Sequence, residues 1–491
     1  MSARAFTWLP SRQAAELLSR IPKLPARLIL EPAFVAVAAA ALSLFAWAAP
    51  ISVRHGFDVR SHLSLDAIVT LGAWYGLIAL AAYVGLRVGK RITWRPAGLD
   101  SLSADDFYLA LTAVSFLGIF VTYVVAYHDD TTALWRSLTT HNGNVLKNRL
   151  YESYYVAIYT WRYAAALSAG VAIFRVFDRR RIGLLDLLNF LLLGAAALIS
   201  ARLLIVVAVM IAVGIAGKVR DLRLAPLFVV LAAAAFFVLL IPFTYGRTAG
   251  TYEDDYGITN PVEITLAEIS AYVGAPMQVA IGVADQDLTK SGSFGDRLTA
   301  LRRSLTPTYI RDDTQGSPPY WRDYIDLDGG LTTNSAFAEL TGPQGLLAFP
   351  FIAAVSFVAA LAAGYFLTYR SYVFLAGIAI IYAFAELWRT FLFMQGVISA
   401  LVFVPIAIAA VALAVRHFGR RKSIYLSVVA AFVLLVGYVG LAQAKIIDAP
   451  GSDQSPGGPQ PTAVPKSTKV PKPTKTPKPK ATPKPNDTQT Q

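Results

Sequence analysis

Long apolar runs divide this chain, and they constrain it more than any other feature. A helix of about 20 apolar residues matches a hydrocarbon core of ~30 Å, and its backbone polar groups are bonded within the segment. Eleven runs fit that description, at 33–50, 66–88, 106–127, 155–175, 183–200, 203–217, 224–243, 345–368, 372–388, 391–415 and 424–443. The fifth and sixth are short and read as a tight hairpin. The composition agrees: 55% of residues are hydrophobic and only 15% are charged. The expected fold is therefore an all-α integral membrane protein of about eleven transmembrane helices. The N-terminal segment does not read as a signal peptide, because its basic leader is too long and its first apolar run is of membrane length. "AWAAP" at 46–50 resembles a cleavage site only faintly.

Two function classes are excluded at once. The chain contains no Cys, which rules out disulfides, thiol catalysis and Cys-ligated metals. The net charge of +13 does not form a nucleic-acid face, since the basic residues sit in short loops and in the C-terminal tail. No nucleic-acid motif is present, and no nucleic-acid partner or cofactor is expected.

Orientation follows from Lys and Arg in the short loops. Arg4, Arg12, Arg20, Lys23 and Arg27 precede the first run. Lys90, Arg91 and Arg95, then Arg179, Arg180 and Arg181, then Lys218, Arg220 and Arg223, then Arg416, Arg420, Arg421 and Lys422 lie in later loops. With eleven spans all fall on one side, which predicts a cytoplasmic N-terminus and an external C-terminus. The expected divisions are a cytoplasmic segment (1–32), seven spans (33–243), a large external loop (244–334), four spans (335–443) and a disordered tail (444–491). In "PTAVPKSTKVPKPTKTPKPKATPKP" the closely spaced Pro residues favour extended polyproline II over helix. The large loop is acidic, with thirteen Asp or Glu against seven Lys or Arg. Its apolar stretch 264–286 reads as an interfacial or re-entrant helix pair broken near Gly274 and Pro276. "RLTALRRSLTPTYIRDD" reads as a basic helix and a turn, and "DYIDLDGG" lacks the spacing and terminal Glu of a Ca²⁺ loop.

Four arginines break the loop pattern. Arg162 sits in the fourth run, Arg202 at the external hairpin, Arg247 at the start of the large loop and Arg389 at the end of the ninth run. Snorkelling, or pairing with Glu152, Glu386 or Asp186, explains any one of them. Four at one level suit a phosphate or pyrophosphate at the outer leaflet, because guanidinium groups bind such oxyanions bidentately. "PPYWRDY" (318–324) and "TYEDDY" (251–256) supply aromatic and planar polar side chains of the kind that bind sugars.

Three stretches then carry a resemblance. They are "ISARLLIVVAVM" (199–210), "YVGAPMQVAIGV" (272–283) and "GGLTTNSAFAELTGPQGLLAFP" (329–350), within an arrangement of many spans and one large late external loop. Over roughly 180–400 the chain resembles bacterial oligosaccharide repeat-unit polymerases of the O-antigen polymerase type. It departs from them in having "ELTGPQG" where many relatives have an aromatic-Asp-Phe-Gly pattern, and in its Pro/Lys tail. The resemblance implies a glycosyltransferase in the bacterial inner membrane. It would transfer a growing glycan from one undecaprenyl pyrophosphate to a repeat unit on another. The partners implied are those lipid-linked glycans, membrane lipids, a flippase and a chain-length regulator. Carried onto this chain, it makes Glu339, Arg247 and Arg389 the candidate catalytic residues. Arg202, Arg162, Tyr272, Thr332, Thr333 and Asn334 become the substrate-binding candidates, with no metal required. Glu339 is expected about two helical turns beyond Thr332, on a similar face. None of the five His residues lies in the large loop, so the base must be a carboxylate. Two rivals stand beside this: a metal-dependent polyprenyl-phosphate glycosyltransferase using Asp129 and Asp130, and a flippase or transporter of lipid-linked glycans.

Overall fold

The computed structural model describes residues 24–49, 60–96, 98–128, 160–200, 203–220, 257–286, 293–307 and 334–417, with isolated short pieces between them. The chain divides into a unit of residues 1–439 and another of 440–491. The second, which holds all of the expected tail, lies outside the described residues. So do the expected span 424–443 and most of 224–243.

The described part of the first unit is helical apart from one two-residue antiparallel pairing, Leu24–Pro25 (β1) with Arg223–Leu224 (β2). The helices are α1 (Pro32–Ala48), α2 (Leu65–Arg91), α3 (Ala104–His128), α4 (Ala164–Arg179), α5 (Leu184–Ser200) and α6 (Leu203–Val219). They continue as α7 (Pro261–Ala284), α8 (Phe294–Leu305), α9 (Ala336–Gln344), α10 (Ala348–Phe366), α11 (Phe374–Ala385) and α12 (Gly396–His417). Among the described residues, five stretches are long and apolar enough to cross a membrane: Leu65–Arg91, Ala104–Val124, Pro261–Ala284, Ala336–Phe366 and Gly396–Ala414. Four shorter apolar helices accompany them. Large apolar side chains such as Phe45, Leu80, Phe116 and Val358 point outward and are at least half exposed. A water-soluble surface rarely tolerates so many of these. The molecule is a membrane protein whose outer helix faces are suited to lipid.

Where helices meet, glycine sets the spacing. Gly85 and Gly89 on α2 face the backbone of α10 at Phe357 and Leu361, and a Cβ at either would overlap a carbonyl oxygen. Gly364 returns the contact, with its virtual Cβ 2.5 Å from the Leu86 carbonyl. Small residues one turn apart let two backbones touch, which matters in lipid because lipid tails reward apolar burial no more than a protein neighbour does. The pair α2 and α10 forms the most extensive helix contact in the described residues.

Basic residues collect at one end of this bundle. Lys90 Nζ lies 3.3 Å from Glu31 beside the start of α1. The Asp100 carboxylate accepts the Arg370 backbone N–H at 2.7 Å and lies 3.8 Å from Arg95. Lys218 feels the charges of Lys90, Arg95 and Arg370. On the α3–α4 side, Arg175 pairs with Asp105 at 2.6 Å and lies against Asp186, which also accepts the Tyr108 hydroxyl at 2.9 Å. Loops grouped by charge in the sequence are thus gathered in space.

One expectation changes here. Residues 264–286 do not form a helix pair: α7 is a single helix of 24 residues, with Pro276 inside it. Gly274 is the point where the backbone of α1 approaches, its virtual Cβ 3.1 Å from Trp47 Cα. Around Pro276, α1 supplies polar contacts: the Ser43 hydroxyl donates to the Val273 carbonyl at 2.6 Å, and the Trp47 indole donates to Gln278 at 2.7 Å. A proline is tolerated in a helix whose neighbours rebond the backbone. Within the fourth expected run, Thr160–Tyr163 form a 3₁₀ turn and α4 begins at Ala164; positions 155–159 lie outside the described residues.

Candidate functional site

The site is built where helices stop. α10 and α11 run to and from the basic end, since Gly364 packs on α2 near Lys90 and Arg370 sits beside Asp100. The start of α10 and the end of α11 therefore lie at the opposite end of the bundle. There α9 precedes α10, and residues 386–395 link α11 to α12 in turns rather than helix.

α9 begins where Ser335 caps it, its hydroxyl accepting the Ala338 N–H at 3.1 Å. Ser, Thr, Asp and Asn favour this position because the side-chain oxygen satisfies an N–H that the helix itself leaves open. Asn334 precedes the cap, half-buried, and its Oδ1 accepts the Ser335 N–H at 2.7 Å. α9 ends at Gly345, whose φ of +56° and ψ of −137° suit glycine alone. The Gly-Pro-Gln-Gly segment thus breaks the apolar run between α9 and α10. Most of α9 is buried, with Phe337 in edge contact with Trp74 at 5.2 Å. Glu339 is only half-buried, and its Oε2 accepts the Phe391 N–H at 3.0 Å and the Thr390 hydroxyl at 3.3 Å.

The 386–395 junction receives that carboxylate and carries its own ion pair. Arg389 donates from Nε and Nη2 to Glu386 Oε2, at 2.9 and 2.8 Å. Both side chains are largely buried, and the other Glu386 oxygen accepts the buried Tyr382 hydroxyl at 2.9 Å. Burial works against the Arg389 charge, but Glu386 more than offsets it, and the guanidinium pKa is held above its ordinary value. The guanidinium also lies 5.1 Å from the ring of Tyr272 on α7, whose edge meets Trp388 at 6.4 Å. Gln395 donates to Thr390 Oγ1 at 3.2 Å, bracing the junction from its far side.

Three sequence candidates therefore meet: Tyr272 from α7, Glu339 from α9 and Arg389 from the α11–α12 junction. Arg389 pairs with Glu386, the partner that the charge pattern offered as its alternative explanation. Arg162 lies in the 3₁₀ turn before α4, buried and with its guanidinium 5.2 Å from the Tyr163 ring. That turn packs against α3 and α12. The helix that carries Glu339 starts at Ala336, and Asn334 and Ser335 before it are non-helical. Thr332, Thr333, Arg202 and Arg247 lie outside the described residues, as do Asp129 and Asp130. Tyr382, Thr390 and Gln395 were not singled out in the sequence. The one available signal was a cluster of polar residues, "ELWRTFLFMQ", where two apolar runs join.

No protein-family model, curated protein or solved structure matches this chain.

Proposed function

We propose that this chain is a membrane glycosyltransferase that polymerises lipid-linked oligosaccharide repeat units at the outer face of a bacterial inner membrane. A single observation carries the reading. Tyr272, Glu339 and Arg389, which the resemblance nominates from three separate segments, converge on one helix-breaking junction. A carboxylate, a guanidinium and an aromatic face together suit a sugar joined to a pyrophosphate.

In the proposed reaction the Glu339 carboxylate takes the proton of the acceptor sugar's hydroxyl. The resulting oxygen attacks the anomeric carbon of the donor glycan. The bond from that carbon to the pyrophosphate oxygen breaks, and the electron pair leaves with the lipid pyrophosphate. Arg389 would stabilise the charge that grows there, with Arg247 and Arg202 as further candidates for the same task. Glu386 holds the Arg389 guanidinium in place, and Tyr272 covers one face of it. Arriving pyrophosphate would compete with Glu386 for that cation. A flippase would deliver the repeat units, and a chain-length regulator would act on the product.

The test is polymer length made by the purified protein in nanodiscs from a pyrophosphate-linked repeat unit. Arg389→Lys keeps the charge but loses the two-pronged contact, so the ladder should collapse to single units while the protein remains folded. A normal ladder from Arg389→Lys would remove the guanidinium from the mechanism. Activity should also survive EDTA. Loss on chelation with rescue by Mg²⁺ would transfer the reaction to the metal-dependent alternative at Asp129 and Asp130.

A further inference from the structure

Helix α8 is not used by the proposed reaction, yet its surface is strongly divided. Phe294, Leu298, Leu301 and Leu305 recur at helical spacing and fall in one stripe roughly 60° wide. Leu301 packs on the core, whereas Phe294, Leu298 and Leu305 are 69%, 52% and 49% exposed. Arg302 is exposed beside the stripe, and Thr299 is exposed on the polar side. The helix is well formed. Ser293 caps it, accepting the Asp296 N–H while the Asp296 carboxylate accepts the Ser293 N–H.

What covers such a stripe follows from where the helix is attached. Gln344, the last residue of α9, donates from Nε2 to Ser304 Oγ on α8 at 2.7 Å. Gln344 lies within Ala336–Phe366, a stretch long and apolar enough to cross a membrane. It precedes the start of α10 by four residues. The tie places α8 at the level where that run leaves the bilayer. A basic helix with an exposed apolar stripe at that level has the pattern of one lying in the membrane interface.

We infer that α8 is an in-plane membrane anchor. Phe294, Leu298 and Leu305 enter the acyl-chain boundary, and Arg302 meets the phosphates of anionic lipid headgroups. The inference holds whatever reaction the protein carries out, because it rests on the α8 stripe and the Gln344–Ser304 tie alone.

The native chain lacks Cys, so single Cys residues can be placed at 298, 305 and 299 in the full-length protein and spin-labelled. The protein is then reconstituted in nanodiscs of equal parts phosphatidylcholine and phosphatidylglycerol. Labels at 298 and 305 should relax more with oxygen, which concentrates in lipid, than with a water-soluble nickel complex. The label at 299 should show the reverse. Nickel contact at 298 and 305 equal to that at 299 would overturn the anchor. Exclusion of both reagents would also overturn it, by showing the stripe covered by protein, as in a second copy of the chain. Replacing phosphatidylglycerol by phosphatidylcholine should make the label at 305 shallower, and Arg302→Gln should abolish that lipid dependence. A depth at 305 that ignores lipid charge in the unsubstituted helix would overturn the headgroup contact.

Discussion

The crossing of α2 with α10 and the junction around Arg389 both belong to the helical bundle, and they are built on opposite rules. At the crossing, helices are continuous and side chains are absent: Gly85, Gly89 and Gly364 bring backbone against backbone. At the junction, helices are broken and side chains do the bonding: Glu339 on α9 bonds Thr390 and Phe391 far along the chain, and Arg389 pairs locally with Glu386. The first arrangement fixes distance without polar groups. The second accepts the cost of polar groups near lipid, and that cost is sustained where the groups face one another, a cavity or a ligand. A bundle can therefore be rigid in one place so that it can be irregular in another.

The largest expected effect lies at the crossing. Gly89→Leu pushes a side chain into the Leu361 carbonyl, where only movement of backbone can relieve the overlap. The variant should fail to accumulate as a monodisperse species on size-exclusion chromatography. Gly76→Leu, which meets open space on the same helix, should behave like the unsubstituted protein. Equal behaviour of the two would mean that close backbone approach does not hold α2 to α10.

At the junction the expected loss is of activity before stability. Glu339→Gln keeps the acceptor oxygen for Phe391 and Thr390 but removes the base, and loss of a general base typically costs ~10²–10⁴-fold in rate. Turnover of a lipid-linked repeat unit should fall by that factor with the thermal midpoint little changed. A variant of normal rate would reduce Glu339 to a brace for the α11–α12 junction.

A smaller effect separates the ion pair from its neighbours. Glu386→Ala leaves Arg389 largely buried without its carboxylate, which should cost about 3 kcal/mol. The double variant Glu386→Ala with Arg389→Met should be closer to normal stability than the single one, measured by thermal unfolding in one detergent. Additive losses would show that the two side chains do not stabilise each other.

The smallest expected change is at the start of α9. Ser335→Ala removes a cap and should cost about 1 kcal/mol, while Ser335→Asp should restore most of it. A lowered thermal midpoint that Asp does not recover would assign Ser335 a packing role instead.

Much of this architecture was legible in the sequence because lipid imposes a simple rule. Apolar length predicts helices, and the predicted runs at 33–50, 66–88, 106–127, 183–200 and 203–217 fall within a few residues of α1, α2, α3, α5 and α6. The break at Gly345 was legible too, since Gly-Pro-Gln-Gly interrupts an apolar run. α7 was misjudged at Gly274 and Pro276, which ordinarily signal a break. Whether such residues break a helix depends on what lies beside them, and here it is the backbone of α1 with Ser43 and Trp47.

The sequence by itself determined that the chain is a helical membrane protein and which residues are chemically able to hold phosphate or take a proton. Only the tertiary structure decided which of those residues meet. It joined Tyr272 to Arg389 across 117 positions and Glu339 to Phe391 across 52. It also set the turn that carries Arg162 against α3 and α12. The physical reason is that apolar length and local turn chemistry are properties of neighbouring residues. A contact between distant segments depends on how whole helices pack, and that packing is fixed by glycines and side chains elsewhere in the chain.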